Sequence, residues 1–292
     1  MSKNSNIDYI LYIDTDSLFI NIGTFIDENI GTEWREMPQY RIIKYIQRIS
    51  AIIEDNVDTR AYRETQRKTY NSAETEFRIH FKQEIIAKSI LFVKKKKYSL
   101  LCVNKEGRDV DTLETTGLDI VRSETPSAVK PRLRHIMDMI LRNKDDDDIS
   151  KMVDEYKREL LSVYPEEISV NTGVHNIDKY IKKHGPIKGT PWHIKGIYNY
   201  RRLIDMLNIP NKYEDIVDDA KTKVVYLMNN QFGIETITFI RWPMEFNDVV
   251  QIDRKKMIEK YFINKVKMLL DPMHKSSLLE LSNKKALNLF FD

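Results

Sequence analysis

The sequence predicts an α+β chain, with antiparallel β hairpins and a few helices first and a mainly helical region after them. Two observations predict this. Apolar residues 10–13 and 18–20 flank Asp14-Thr15-Asp16-Ser17, the pattern of a strand, a tight turn and a second strand. From Pro126 onward, apolar residues instead recur at the three- and four-residue spacing of amphipathic helices. The 292 residues allow a sizeable core and roughly two domains, and the change of pattern puts their boundary near residue 125.

Composition narrows the class. Charged residues make up 31% of the chain and the mean hydropathy is −0.49, which predicts a soluble protein. No apolar run approaches the ~20 residues that a membrane span needs. The first ten residues, MSKNSNIDYI, lack the basic-then-apolar pattern of a secretory signal. A single cysteine, Cys102, excludes an internal disulfide and a Cys-based zinc site, and points to a reducing compartment. Net charge is only +3, so a polyanionic partner would have to be held by local basic patches. With 9 Gly and 9 Pro the chain is not of low complexity. It has no internal repeat and no GxxxxGK phosphate loop.

The first hairpin carries the chemistry-bearing pattern. Asp14 and Asp16 at its tip repel one another with no packing gain, and a divalent cation such as Mg²⁺, which takes hard oxygen ligands, would remove that repulsion. The alternative is an ordinary turn, because Asp and Ser favour turns through local hydrogen bonds alone. A loop containing Trp34 is expected next, then helix over residues 38–75. Ile42, Ile46, Ile49, Ile53 and Val57 share one face there as core, and the pattern weakens over residues 57–62, where the stretch could divide into two helices.

Residues 76–113 predict β structure. Phe77, Ile79 and Phe81 alternate, and SILFVKKKKYSLLCV reads as one long strand that turns at residues 104–107. Alternation then sets Lys94, Lys96 and Tyr98 on one face and Lys95 and Lys97 on the other. Lysines on a strand either solvate a sheet edge or, beside an aromatic, suit a nucleic-acid backbone. Next, Thr125 reads as an N-cap with Pro126 first in a helix running to about residue 143. Asp145 to Asp148 read as a linker, a solvated loop opening the next helix, in preference to a metal site, and residues 149–161 as that helix.

Residues 170–202 are rich in Lys, His, Tyr and Gly. Lys182, Lys183, Lys188, Lys195, Arg201 and Arg202 stand there among Gly, Thr and aromatic residues, as a phosphate-tracking surface requires. His175, His184 and His193 have no acidic or Cys partner at ligand spacing, which argues against zinc. A helix to about residue 208, short strands at 223–228 and 236–240, and a helix at 254–270 burying Met257, Tyr261, Val266 and Leu269 or their neighbours complete the pattern. Leu287, Leu289, Phe290 and Phe291 end the chain, either tucked against their own domain or forming a docking motif.

Taken in order, these segments resemble the C-terminal part of a family B DNA polymerase, most closely the T4-like bacteriophage replicative type, over essentially the whole chain. YIDTDSLF looks like polymerase motif C. FKQEIIAKS resembles the strand bearing a carboxylate near the site, with Glu84 in that position. KKKKYSLL resembles the Lys-Lys-Arg-Tyr segment, Lys97 standing for the usual Arg. TGLDIVRSETPSAVK matches the palm-to-thumb transition and PWHIKGIYNYRR the phosphate-contacting stretch of the thumb. LNLFF resembles a clamp-docking tail, although Lys284 stands where many clamp motifs have Gln. DTDS alone is moderately specific; five segments in order are strong.

The resemblance implies part of a polymerase palm over residues 1–125, a thumb over 126–281 and a clamp-binding tail over 282–292. It implies two Mg²⁺ ions, with Asp16 the ligand common to both, Asp14 secondary, and Glu84 positioning a metal or its waters. Lys95, Lys96, Lys97 and Tyr98 would hold primer–template DNA, and Lys195, Arg201 and Arg202 the duplex phosphates. The metal-binding Asp of a separate strand, the nucleotide-binding fingers helix and the exonuclease all precede motif C in that family, whereas 13 residues precede Asp14 here. The expectation is therefore one part of a split polymerase. An N-terminal polymerase subunit, a deoxynucleoside triphosphate and a sliding clamp would be its partners, in the cytoplasm of a phage-infected bacterial host and with no membrane. Two other classes compete: a DxD metal-dependent glycosyltransferase, which leaves the lysines and tail unexplained, and a non-catalytic DNA-binding polymerase remnant, against which Asp14, Asp16 and Glu84 count.

Overall fold

The first strands, β1 (Ile10–Asp14) and β2 (Ser17–Ile20), pair antiparallel as the apolar runs predict. Ile13 lies opposite Leu18 and Asp14 opposite Ser17, while a shift in register between Ile10 and Tyr12 makes a bulge. The computed structural model describes residues 8–70, 80–118, 122 and 124–279. By compactness the chain forms two units, one of Met1–Ile90 with Leu100–Glu114 and one of Leu91–Ser99 with Thr115–Asp292.

In the first unit, the loop expected around Trp34 is largely a helix, α1 (Ile22–Ile30), followed by a 3₁₀ turn at Glu33–Glu36. The side chain of Asn21 caps α1 by accepting from the Thr24 N–H at 3.2 Å, a start signal the sequence reading passed over. Trp34 Nε1 donates to Asp27 Oδ1 at 2.8 Å, and Arg35 also grips that carboxylate. Arg35 first, and Trp34 second, hold Asp27 below the usual carboxylate range.

Helix α2 (Gln39–Asn56) passes through a wide π-type turn at Val57–Tyr62 into α3 (Arg63–Tyr70), so the weakened apolar pattern marks a change of helical pitch. The stripe expected as core is only half buried. Ile43, one residue out of that register, is the buried anchor; it packs with Ile86 and Val103, and Ile46 joins them. The alternation at Phe77 and Ile79 and the expected helix end at 71–75 lie outside the described residues. Phe81, expected in a strand, is not in one. The N–H groups of Phe81 and Gln83 are taken by the carboxylates of Asp58 (3.0 Å) and Glu54 (2.5 Å), leaving neither for a neighbouring strand.

The next sheet has the order β3-β4-β5, from β3 (Ile85–Lys94), β4 (Lys97–Lys105) and β5 (Arg108–Thr116). The single long strand expected here is instead two, reversed at Lys95 and Lys96. The physical reason lies in β4: Ser99 to Asn104 are all buried, so both of its faces are covered. Reversal at Lys95 and Lys96 leaves those two ammonium groups in solvent, clear of that buried stretch.

In the second unit, the expected N-cap at Thr125 is displaced. Helix α4 (Val129–Leu141) starts three residues after Pro126, whose carbonyl accepts the N–H groups of Val129 (3.0 Å) and Lys130 (3.1 Å). Residues 126–128 are therefore a lead-in turn, and Thr125 is buried just before it. Asp145 to Asp148 are not a linker. Asp145 occupies the N-cap position of α5 (Asp146–Leu160) and the next three acids form its first turn, where the helix dipole favours negative charge.

Short elements follow: α6 (Pro165–Ile168), β6 (Val170–Gly173), α7 (Ile177–Tyr180), β7 (Ile181–Lys182) and β8 (Gly185–Pro186). Then come α8 (Trp192–Met206), β9 (Lys221–Tyr226) and β10 (Thr236–Phe239). The strands expected near 223–228 and 236–240 are β9 and β10, and β6, not foreseen, completes an antiparallel sheet in the order β10-β9-β6. Helix α8 lies directly on β10 because residue 196 is Gly; a Cβ there would come within 2.3 Å of Thr238 Oγ1. The Thr238 hydroxyl donates to the His193 carbonyl at 2.6 Å, and that of Thr236 to the Trp192 carbonyl at 3.1 Å.

The last helical stretch is α9 (Arg254–Ile258), a π-type turn at Glu259–Ile263, and α10 (Asn264–Leu270). Met257, Val266 and Leu269 are buried as expected, and at the fourth position it is Phe262, the neighbour of Tyr261, that lies deepest. The extra residue in the wide turn rotates the apolar face by about one position. The fold is α+β, and among the described residues no helix is long and apolar enough to cross a membrane.

The chain between α8 and β9 is fastened at Glu245, which accepts from Lys212 and from the Tyr213 hydroxyl (2.7 Å). Lys212 first, then Tyr213, lower its pKa from 4.5 to about 2. A depressed carboxylate contributes stability that is present above its unfolded pKa and is lost as pH falls through the folded one. Thermal melts should therefore show part of the decline in Tm between pH 4.5 and about 2 disappearing in Glu245→Gln. An unchanged pH profile would show that this fastening carries no stability.

Candidate functional site

The carboxylate turn is built by backbone geometry. A two-residue reversal between Asp14 and Ser17 leaves Thr15 at φ +54°. A β-branched residue in the left-handed region costs on the order of 1–3 kcal/mol. Local hydrogen bonds hold the turn: the Asp16 N–H donates to the Asp14 carbonyl at 2.7 Å, as does the Ser17 hydroxyl at 3.1 Å. Thr15 Oγ1 also meets Asp14 Oδ1 at 3.3 Å. Asp14 is half buried and Asp16 exposed.

These two acids supply hard oxygens of the kind Mg²⁺ takes, and they fit a part of a metal site. Glu84 does not join them. It is exposed just before β3, where its carbonyl accepts the Glu106 N–H at 2.7 Å, and among the described residues no three His, Cys, Asp or Glu side chains form a metal-sized group. His175 has found an acidic partner that spacing could not reveal, Asp219 at 2.8 Å, yet no third ligand stands with them among the described residues.

The lysines divide according to the new turn. Lys94, Lys95 and Lys96 are exposed at the β3–β4 tip, while Lys97 and Tyr98 are half buried at the start of β4. The rings of Tyr98 and Phe92 lie 5.8 Å apart, and behind them Ser99 and Thr115 share a hydroxyl–hydroxyl bond of 2.9 Å. Lys96 itself has φ +60°. Gly117 sits against this tip. With φ +65°, it would put a Cβ 2.2 Å from the Lys96 carbonyl oxygen and 3.4 Å from Lys97 Cγ. Sequence reasoning assigned Gly117 no role; its only signal was a glycine directly after a strand.

Of the basic residues expected on the helical part, Lys195 and Arg202 are exposed on α8. The Arg201 guanidinium is engaged, reaching Asp215 Oδ1 (2.8 Å) and Oδ2 (3.0 Å) and the Ile216 carbonyl (2.7 Å). Two lysines the sequence reading left aside, Lys256 and Lys260, stand against the aromatic pair Trp192 and Tyr226. Leu287, Leu289, Phe290 and Phe291 lie outside the described residues.

The contact at Gly117 has a direct consequence. Gly117→Ala should displace the Lys95–Lys96 turn and lower Tm by several degrees, since the obstacle is backbone and the φ is unfavourable for a side chain. Equal Tm and equal backbone amide shifts at residues 95–97 in both proteins would refute a supporting role for Gly117.

A family profile described as DNA polymerase family B matches residues 54–185. A protein of Enterobacteria phage T4 named DNA-directed DNA polymerase is 26% identical over 273 residues, 88% of this chain and 29% of its own length. One of the same name from Escherichia phage RB69 is 25% identical over 275 residues, 87% of this chain and 29% of its own length. The chain thus spans under a third of either relative.

Proposed function

Because the chain is related to the family B DNA polymerases of T4-like bacteriophages, we propose that it supplies part of the catalytic centre of a template-directed DNA polymerase. The observation that carries this reading is the Asp14-Thr15-Asp16 turn, two carboxylates held at a strained hairpin tip. Strained backbone of this kind clusters at functional sites. Asp16 and Asp14 would hold Mg²⁺, which when bound supplies the positive charge that offsets the attacking and leaving oxygens of nucleotidyl transfer. Glu84 is assigned no direct ligation. Residues 1–125 are the palm portion and 126–281 the thumb, with Lys95, Lys96, Lys97 and Tyr98 set to hold primer–template DNA.

Two carboxylates from one turn do not complete the octahedral surroundings of two Mg²⁺ ions. The remaining ligands and the residues that bind the nucleotide would come from polypeptide outside these 292 residues. Two facts favour this division: the chain spans 29% of its relatives' length, and the hairpin leaves Ile10, Leu11 and Ile13 exposed, Ile13 by 64%. An uncovered apolar strand pair is marginal by itself and gains stability from a partner surface. The terminal LNLFF is proposed to dock on a sliding clamp, on sequence grounds alone.

Primer extension tests the reading. This chain alone should incorporate no nucleotide, and mixing it with the complementary polypeptide should restore synthesis. Asp16→Asn should lower the turnover of that mixture at least a thousandfold while leaving duplex affinity within about threefold. Turnover surviving within tenfold would remove Asp16 from the metal site, and salt-sensitive DNA binding without synthesis in any mixture would favour a non-catalytic remnant.

A further inference from the structure

The Asp14–Asp16 turn stands at the end of a hairpin whose apolar surface is largely uncovered. Ile10, Leu11 and Ile13 are exposed, and among the described residues β1 and β2 form a sheet of two strands. A two-stranded hairpin is marginal by itself, so the direction it takes depends on how its base is fastened. Tyr9, the residue before β1, supplies three contacts there, all within the first unit. Its carbonyl accepts the Asn21 N–H at 2.7 Å, which closes the base of the hairpin at the N-cap of α1. Its ring meets that of Phe25 edge-on, with centroids 5.8 Å apart and planes at 79°. Its hydroxyl donates to Glu28 Oε2. Phe25 and Glu28 are three positions apart on one face of α1, and the Tyr9 side chain lies along that face. Helix α1 is itself tied down near its other end, where Trp34 and Arg35 hold Asp27.

We propose that Tyr9 is a positioning residue for nucleotidyl transfer: held by Phe25 and Glu28, it fixes the direction in which the hairpin presents Asp14 and Asp16 to Mg²⁺; this rests on the polymerase reading above. Direction is set at the base of a hairpin more than at its tip. The residues of β1 span about 17 Å, so a tilt of about 5° at Tyr9 moves the carboxylates by roughly 1.5 Å. Misplacement by about 1 Å is enough to cost on the order of a hundredfold in rate. The hydrogen bonds of the turn do not oppose such a tilt. They join Asp14 to Thr15, Asp16 and Ser17, and all four residues move together with the tip. At the base, an edge-on ring contact tolerates sliding, whereas the hydrogen bond to Glu28 is directional. Together they leave the Tyr9 side chain one position.

Two measurements on the full chain test this: magnetic relaxation of the Thr15, Asp16 and Ser17 amides, and the Mg²⁺ dependence of primer extension after mixing with the complementary polypeptide. Tyr9→Leu removes the ring edge and the hydroxyl. It should lower amide order at residues 15–17, cut kcat about a hundredfold and raise the Mg²⁺ concentration for half-maximal rate. Duplex affinity and the nucleotide KM should stay within about twofold of native. Tyr9→Phe keeps the ring and should show a smaller loss of the same kind. Glu28→Leu should reproduce Tyr9→Phe, and Glu28→Gln, which keeps an oxygen for the hydroxyl, should recover most of that loss. Native amide order and a native Mg²⁺ requirement in Tyr9→Leu, with Asp16→Asn still abolishing synthesis, overturn the role of Tyr9 and leave the polymerase reading standing. A parallel fall in Tm, duplex affinity and kcat also overturns it, as the mark of a merely structural contact. Absence of synthesis by the native mixture removes both. Should circular dichroism show Tyr9→Leu unfolded, Tyr9→Phe set against Glu28→Gln decides the same question.

Discussion

Reversing a strand within two residues leaves the backbone no slack, and both candidate surfaces of this chain are built on that constraint. At the first hairpin it puts Thr15 at φ +54°, and at the β3–β4 hairpin Lys96 at φ +60°. Neither residue type favours that region, so each turn is maintained by what surrounds it. For Thr15 the support is local, a set of hydrogen bonds onto Asp14. For Lys96 it comes from Gly117, twenty-one positions along, whose missing side chain lets two backbones meet. Acids thus come to stand at one tip and lysines at another.

The two units differ in how completely they bury their apolar residues. In the first, α2 keeps Ile52 64% exposed and the hairpin leaves Ile10, Leu11, Ile13 and Leu18 in solvent. The second closes its own core around Leu133, Ile136, Met137, Phe239, Phe246 and Phe262. Its close approach of α8 to β10 depends on a glycine, and threonine hydroxyls satisfy carbonyls in the first turn of the helix. An element that satisfies its polar groups and buries its apolar face is stable by itself, whereas one that does not needs a covering surface.

Charge is arranged with the same economy. A net charge of +3 gives little long-range field, so what matters is which cations are already matched. Arg201 with Asp215 and Lys212 with Glu245 are matched by carboxylates and hold segments of the second unit together. Lys256 and Lys260 are matched by rings, which steady an ammonium group without neutralising it. A count of basic residues in one stretch would not separate these two kinds.

Read from the residues alone, the α+β class, the Asp-Thr-Asp hairpin, the break in helix near residue 57, strands β9 and β10 and the last helix were all apparent. Each rests on signals within a few positions: alternation, helical spacing, or turn chemistry. Tertiary structure alone decided the turn inside the lysine run, the half-burial of α2, the separation of Glu84 from the two aspartates, and the engagement of Arg201. It also paired His80 with Asp58 and His175 with Asp219, across 22 and 44 positions. Burial on both faces of β4 and a steric gap at Gly117 are properties of neighbours brought together by folding, and no window along the chain contains them.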